Sequence, residues 1–157
     1  MRQPSRWIAL CLLLWAWLPL AAIAADAAKL PERDVREVRT VIEAQLKALS
    51  DGDAARAFSF ASPAIHQQFG DADNFFAMVQ QGYPMVIRPA GVSFFVPEVQ
   101  ADGTVLQVVQ MRDAAGRRWL ASYQMQRQAD QRWRINGCAV RPDTGMSASV
   151  FDVIQSA

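Results

Sequence analysis

The sequence predicts an α+β domain in which N-terminal helices pack on one face of a curved antiparallel sheet of about four strands. Three observations carry that prediction. Apolar residues recur at three- and four-residue spacing as far as Gly82. Beyond Tyr83-Pro84 the period changes to two and the segments shorten. A block of helices followed by a block of strands is the order of an α+β fold, not of an alternating α/β one.

The first helix opens at Leu30-Pro31-Glu32-Arg33-Asp34. Glu32, Asp34 and Glu37 sit near its N-terminal end, where the helix dipole favours acids. Val35, Val38, Val41, Ile42, Leu46 and Leu49 make one apolar stripe. Ser50-Asp51-Gly52 stops it, with Gly52 suited to a left-handed turn. Asp53 caps a shorter helix, DAARAFSFA, which presents Ala54, Ala57, Phe58 and Ala61. Ser62-Pro63 restarts the chain, serine at the cap and proline at the first helical position. The turn PAIHQQF puts Ile65 and Phe69 on one face, and His66 lies one step round from Ile65. Gly70-Asp71-Ala72-Asp73 breaks and caps again. The helix NFFAMVQQ then buries Phe75, Phe76, Met78 and Val79 and ends at Gly82.

Met85-Val86-Ile87 reads as a short extended piece, turned by Arg88-Pro89-Ala90-Gly91. VSFFVPEVQ reads as one strand whose Pro97 marks a bulge or an edge. Ala101-Asp102-Gly103 turns into the strand TVLQVVQMR, and Asp113-Ala114-Ala115-Gly116 turns again. RRWLASYQMQRQ alternates. Trp119, Ala121, Tyr123 and Met125 take one face; Leu120, Ser122, Gln124 and Gln126 take the other, which also carries Val105 or Leu106. In RWRINGCAV, Trp133 and Ile135 face one way, and a bend at Gly137 frees Cys138 and Val140 to rejoin the core.

The ends of the chain read differently. Arg2 and Arg6 precede an apolar run from Trp7 to Leu20, followed by small residues including Ala22-Ile23-Ala24. These are the parts of a secretory signal over residues 1–24, cut after Ala24 or Ala25. The other reading is an uncleaved membrane anchor, since Trp7 to Ala25 can span a bilayer if Pro19 is tolerated. Cys11 does not resemble a lipidation site, because Leu10 stands where a small residue is needed. Cleavage leaves a single domain over residues 25–141, exported and periplasmic, with no stable membrane insertion. Residues 142–157 form a loose tail in which Val150, Phe151, Val153 and Ile154 are apolar enough to dock somewhere.

Removing Arg2 and Arg6 leaves 14 basic against 15 acidic residues. Such a chain has no basic field for nucleic acid or an anionic membrane. Cys138 becomes the single cysteine, so no internal disulfide supports the core. It reads either as a reactive or bridging thiol or as a small buried apolar residue in a strand.

Several of these segments together resemble a known family. The first helix V-x-x-V-I-E-A-Q-L-x-A-L, then S-D-G-D-A-A-R-A-F-S-F-A-S-P, N-F-x-x-M-V-x-x-G-Y-P and a strand ending W-R-I-N-G-C look like an uncharacterised family of short exported bacterial proteins, a domain of unknown function. The likeness runs from Arg33 to Pro142. The helix–DGD–helix opening and the W-R-I strand also resemble the nuclear transport factor 2-like superfamily. That resemblance implies a curved sheet folded round a long helix as a cone, often with a pocket. The superfamily includes ketosteroid isomerase and scytalone dehydratase alongside binding and dimerisation modules, so fold does not decide function.

One histidine and one mature cysteine exclude a His/Cys metal cluster, and no cofactor is expected. Asp51/Asp53 and Asp71/Asp73 read as helix caps, not as a calcium loop. No G-x-S-x-G elbow or Gly-rich phosphate loop occurs. Acid–base catalysis has His66, Glu98 and Tyr123 as candidates, with Tyr83 or Asp73 as partners of the imidazole. Asp102, Asp113 and Asp130 fall in turns, leaving Glu98 as the one acid within a strand. The reading preferred over catalysis is a binding module for a small apolar ligand or a partner protein. Its lining would be Phe75, Met78, Tyr83, Phe94, Trp119, Tyr123 and Trp133. The same side chains would serve equally well to fill a core. A homodimer joined through the mixed outer face of the sheet is the third class considered.

Overall fold

The computed structural model describes residues 29–145. Five helices come first: α1 (Glu32–Asp51), α2 (Ala54–Ser59), α3 (Pro63–Phe69), α4 (Ala72–Gly82) and the single turn α5 (Pro84–Ile87). Five strands follow: β1 (Gly91–Phe94), β2 (Glu98–Val99), β3 (Val105–Arg112), β4 (Arg118–Arg127) and β5 (Trp133–Pro142). They form one open antiparallel sheet in the order β1-β3-β4-β5, with β2 pairing β3 beyond the end of β1. The fold is α+β, with the helices packed against one side of the sheet. Residues 1–28 and 146–157, on which the expected signal segment and most of the expected tail fall, lie outside the described residues.

The caps that the sequence marks are the caps that form. Gly52 takes φ 75° and its N–H closes onto the carbonyls of Ala48 and Leu49. The side chains of Asp53, Ser62 and Asp71 accept from the N–H groups of Arg56, Ile65 and Asn74. Val38, Ile42, Leu46 and Leu49 bury the expected stripe of α1, while Val35 and Val41 remain half-exposed. In α4 only Phe75 and Val79 turn fully inward; Phe76 and Met78 sit half-buried.

Three expectations need correction. Met85-Val86-Ile87 is helical, not extended: Pro84 occupies the first turn, where it needs no N–H, and Val86 N–H bonds the Tyr83 carbonyl at 3.0 Å. VSFFVPEVQ is two strands, because Pro97 cannot donate to the ladder and the pairing lapses between Phe94 and Glu98. The bend in β5 is a bulge with Asn136 as its extra residue: Gln124 pairs with Gly137 and Met125 with Ile135. Beyond it Cys138 and Val140 return to the helical side, opposite Tyr123 and Ala121, as expected.

The alternation of β4 holds. Ala121, Tyr123 and Met125 are buried against the helices, joined from β3 by Val105, Val109 and Met111. Leu106, rather than Val105, takes the outer face. The segment between α2 and α3 crosses the edge of β5. Ser62 N–H donates to the Ile135 carbonyl at 2.8 Å, and Ile135 N–H to the Phe60 carbonyl at 2.9 Å. Part of that edge is therefore paired.

Candidate functional site

Between the helical layer and the β4–β5 part of the sheet lies a recessed cavity of about 480 Å³. Gln45 and Leu49 of α1 form one wall, and Ile65 and Phe69 of α3 another. Phe75, Met78 and Val79 of α4, with Tyr83 and Val86, close the helical side. Tyr123 and Ile135 make the floor, and Cys138 and Val140 run toward the rim. The bulge explains why space exists there. Asn136 occupies the extra position, held by Ser62 Oγ donating to its Oδ1 at 2.8 Å and by its own Nδ2 donating to Gln124 Oε1 at 3.4 Å. Two wider depressions of about 550 and 660 Å³ lie open on the surface, one lined by ion-paired arginines and the other beside α4.

The polar groups of the cavity are amides, phenols and a thiol. They are Gln45, Gln68, Asn136, Tyr83, Tyr123 and Cys138; no Asp, Glu, His, Lys or Arg is among the described lining residues. Gln45 is buried and donates to the Ala57 carbonyl at 3.3 Å. Tyr123 is 2% exposed and hydrogen-bonded to Cys138, its partner across the strands. Burial pushes the Tyr123 phenol well above its usual range, and the neighbouring thiol adds to the rise. Burial likewise pushes the Cys138 thiol up to about 12, with the Tyr123 hydrogen bond opposing it. Cys138 is nonetheless exposed to solvent. The two facts agree for a side chain on the wall of a hollow, which water reaches but protein atoms crowd. The expectation of a buried strand cysteine is therefore corrected: Cys138 lies in β5 but is exposed. A thiol held protonated in this way is a poor nucleophile.

The structure separates the residues singled out from the sequence. Phe75, Met78, Tyr83 and Tyr123 line the cavity together. Phe94, Trp119 and Trp133 do not. Phe94 is half-buried at the β1 edge under the Arg39 guanidinium, 4.7 Å from the ring centroid. Trp119, half-buried, donates its indole N–H to Asp113 at 3.1 Å. That bond holds the Asp113 carboxyl below its usual range. Trp133 is 4% exposed and donates to Asp34 at 3.3 Å.

The acid–base candidates are dispersed. His66 stacks on Phe58 with ring centroids 4.0 Å apart, outside the cavity lining. No hydrogen bond or ion pair joins it to Tyr83, Tyr123 or Asp73 among the described residues. Glu98 is exposed on β2, opposite the outward Leu106. Of the three, Tyr123 alone reaches the cavity. Gln45 was the one lining residue with an unread signal. It is a polar side chain three residues after Ile42 and four before Leu49, inside the apolar stripe of α1. Among the described residues no group of three or more His, Cys, Asp or Glu side chains is arranged to hold a metal, and no helix is long and apolar enough to cross a membrane.

Comparison with known proteins gives two matches. The sequence pattern of one family, described as domain of unknown function (DUF4864), matches residues 31–148. A solved structure from Catenulispora Acidiphila is similar over 74% of this chain and 96% of that chain, at 16% identity and a TM-score of 0.47. No curated protein matches.

Proposed function

We propose a binding function for this chain, which belongs to the family described as domain of unknown function (DUF4864): it holds an uncharged, mainly apolar small molecule in the cavity between α1, α4 and the β4–β5 floor. One observation carries the reading. A hollow of about 480 Å³ is walled by aliphatic and aromatic side chains, and its few polar groups are neutral amides, phenols and a thiol. That volume falls within the range, roughly 300–1,000 Å³, of pockets that enclose drug-sized ligands. A charged ligand would lose its hydration there and meet no counter-ion among the described lining residues. The amide of Gln45 and the Tyr83 hydroxyl orient a polar end of the ligand, while Phe69, Phe75 and Met78 cover its body. Acid–base chemistry is not part of the proposal, because a reaction of that kind needs a base that titrates near neutral pH. Tyr123 and Cys138 both titrate far above it.

The finer fold assignment is the nuclear transport factor 2-like cone. A long amphipathic first helix, an antiparallel meander bent at the Asn136 bulge and a hollow on the helical side support it. Export to the periplasm through cleavage of residues 1–24 is proposed on Arg2, Arg6, the apolar run and Ala22-Ile23-Ala24.

Native mass spectrometry of the full-length gene product, purified from the periplasm of its own host, tests these points together. The expected result is a mature chain beginning at Ala25 or Asp26 that carries an additional non-covalent mass of roughly a few hundred daltons. Cys138→Phe, which projects a ring into the hollow, is expected to abolish that mass and leave the fold intact. A chain without added mass would overturn the ligand reading and favour a scaffold. An unprocessed N-terminus would overturn export alone.

A further inference from the structure

Gln45 gives the cavity a direction that its apolar wall lacks. It stands in the buried stripe of α1 between Ile42 and Leu49, 5% exposed, and lines the hollow. An amide in such a place is costly unless its donor and its acceptor are both met. The donor half is met, since Gln45 Nε2 donates to the Ala57 carbonyl at 3.3 Å. Ala57 lies in the last turn of α2, where carbonyls have no partner within their own helix.

That bond fixes which way round the amide sits. A carbonyl oxygen only accepts, so Nε2 faces Ala57 and Oε1 faces away from it. Oε1 has no partner among the described residues. Yet no side-chain oxygen or nitrogen of the buried and half-buried described residues is both sealed off and unpartnered. Oε1 therefore opens on accessible space, and the space that Gln45 borders is the cavity. The other polar groups of the wall do not duplicate it. Asn136 Oδ1 is taken by Ser62 Oγ, and Asn136 Nδ2 donates to Gln124 Oε1. The Tyr123 hydroxyl is engaged with Cys138. The Tyr83 hydroxyl can donate or accept, so it does not select between the two.

We infer that the molecule held in this cavity presents a hydrogen-bond donor, a hydroxyl or an N–H on an otherwise apolar body, and that Gln45 Oε1 receives it. The inference rests on the ligand reading proposed above and narrows its chemical class. An ether or ester oxygen at the same place would set its lone pairs against Oε1. Both acceptors would then stay unpaired in the hollow, the kind of mismatch that a polar site rejects most strongly.

Three probes test it on the full chain, dialysed out of urea so that the hollow is emptied. 2-Naphthol, 2-methylnaphthalene and 2-methoxynaphthalene share one apolar body, and the first alone carries a donor. Burial by itself would favour the methyl compound. Titration calorimetry at pH 7 is expected to show 2-naphthol bound at least about tenfold more tightly than the other two. Gln45→Met, which keeps the side-chain length and removes the oxygen, is expected to abolish that preference. The side-chain amide resonance of Gln45 gives a readout in the unaltered chain: 2-naphthol is expected to move its 15N signal further than 2-methylnaphthalene does. Absence of a preference in the unaltered chain, a preference that survives in Gln45→Met, or equal movement of the amide signal would overturn the inference and leave the cavity reading intact. Binding of none of the three would overturn both.

Discussion

The strands β4 and β5 carry two polar pairs on their helical side, one at each side of the Asn136 bulge, and the pairs are built in opposite ways. Before the bulge, Arg127 and Trp133 face each other, and both donate to the buried carboxylate of Asp34 on α1, at 3.4 and 3.3 Å. Charge, aromatic ring and helix end are locked together there. Beyond the bulge, Tyr123 and Cys138 face each other, both neutral, and the space above them is the cavity. A charge set in a protein interior needs partners of fixed geometry, so it accompanies dense packing. A floor of neutral groups tolerates an unfilled neighbour. The chain thus spends its buried charge at the end that is solid and keeps the hollow end uncharged.

The largest expected difference between the two ends is in truncation. Trp133→Ala is expected to cost about 3–5 kcal/mol, because a 4%-exposed indole leaves a void that surrounding helices cannot fill. Met78→Ala, on the wall of an existing hollow, is expected to cost less than about 1 kcal/mol, since much of its side chain already lacks packing partners. Urea unfolding of both variants measures this. Equal losses would mean that the cavity end is as densely packed as the other.

Asp34→Ala comes next, at about 2–3 kcal/mol. It strands the buried Trp133 N–H and removes the partner of Arg127. The guanidinium side chain is 35% exposed, so water replaces part of the lost pairing and the value stays below that of a fully buried ion pair. A loss under about 0.5 kcal/mol would remove the argument that this carboxylate fixes α1 to the sheet.

The neutral end is expected to show itself through pH. The Cys138 thiol has its pKa raised from near 9 to about 12 in the folded chain, and that of Tyr123 is raised as well. A raised pKa in the folded state means that the protonated form is the one that the fold favours. The contribution is complete below pH 9, where the thiol is protonated in both folded and unfolded chains. It is lost as pH climbs from 9 toward 12. Stability followed from pH 7 to 11 is expected to fall above pH 9, and less steeply in Cys138→Ala. Iodoacetamide at pH 8 is expected to alkylate Cys138 at least about tenfold more slowly in the folded than in the unfolded chain, because the smaller thiolate fraction outweighs the greater nucleophilicity of a more basic thiolate. Comparable rates would mean an ordinary thiol, and with it a wetter cavity floor.

What the sequence made legible follows the range of the forces involved. Caps at Asp53, Ser62 and Asp71 depend on a side chain and an N–H three residues away, so local sequence contains both partners. The inward set Ala121, Tyr123 and Met125 follows from the pleat of one strand. Pro84 was ambiguous because proline both ends one element and starts the next. The cavity lining was legible only in part, for a reason outside any single strand. Inward direction is set by alternation, but whether an inward side chain meets a helix, a carboxylate or empty space depends on where α1, α3 and α4 end above it. Trp133 met Asp34, some ninety-nine residues earlier in sequence, and Tyr123 met the hollow.

Phe94 carries the same lesson at the smallest scale. It pairs with the buried Val109 and so faces inward by register, yet it stands on the edge strand, where the helical layer thins. Its cover is the Arg39 guanidinium of α1, at 4.7 Å, rather than an apolar side chain packed on all sides. A sealed core phenylalanine would lose about 3–5 kcal/mol on truncation. Phe94→Ala is expected to lose about 1 kcal/mol, of which the cation–π contact supplies roughly half. Arg39 also pairs with Glu43 at 2.8 Å, so Arg39→Ala in the Phe94→Ala background should add only the few tenths expected of an exposed helical ion pair. A double-mutant cycle returning no coupling between Arg39 and Phe94 would show that the ring is held by the sheet alone. A loss near 4 kcal/mol for Phe94→Ala would put the solid part of the core at both ends of the sheet, with the cavity as a gap between them.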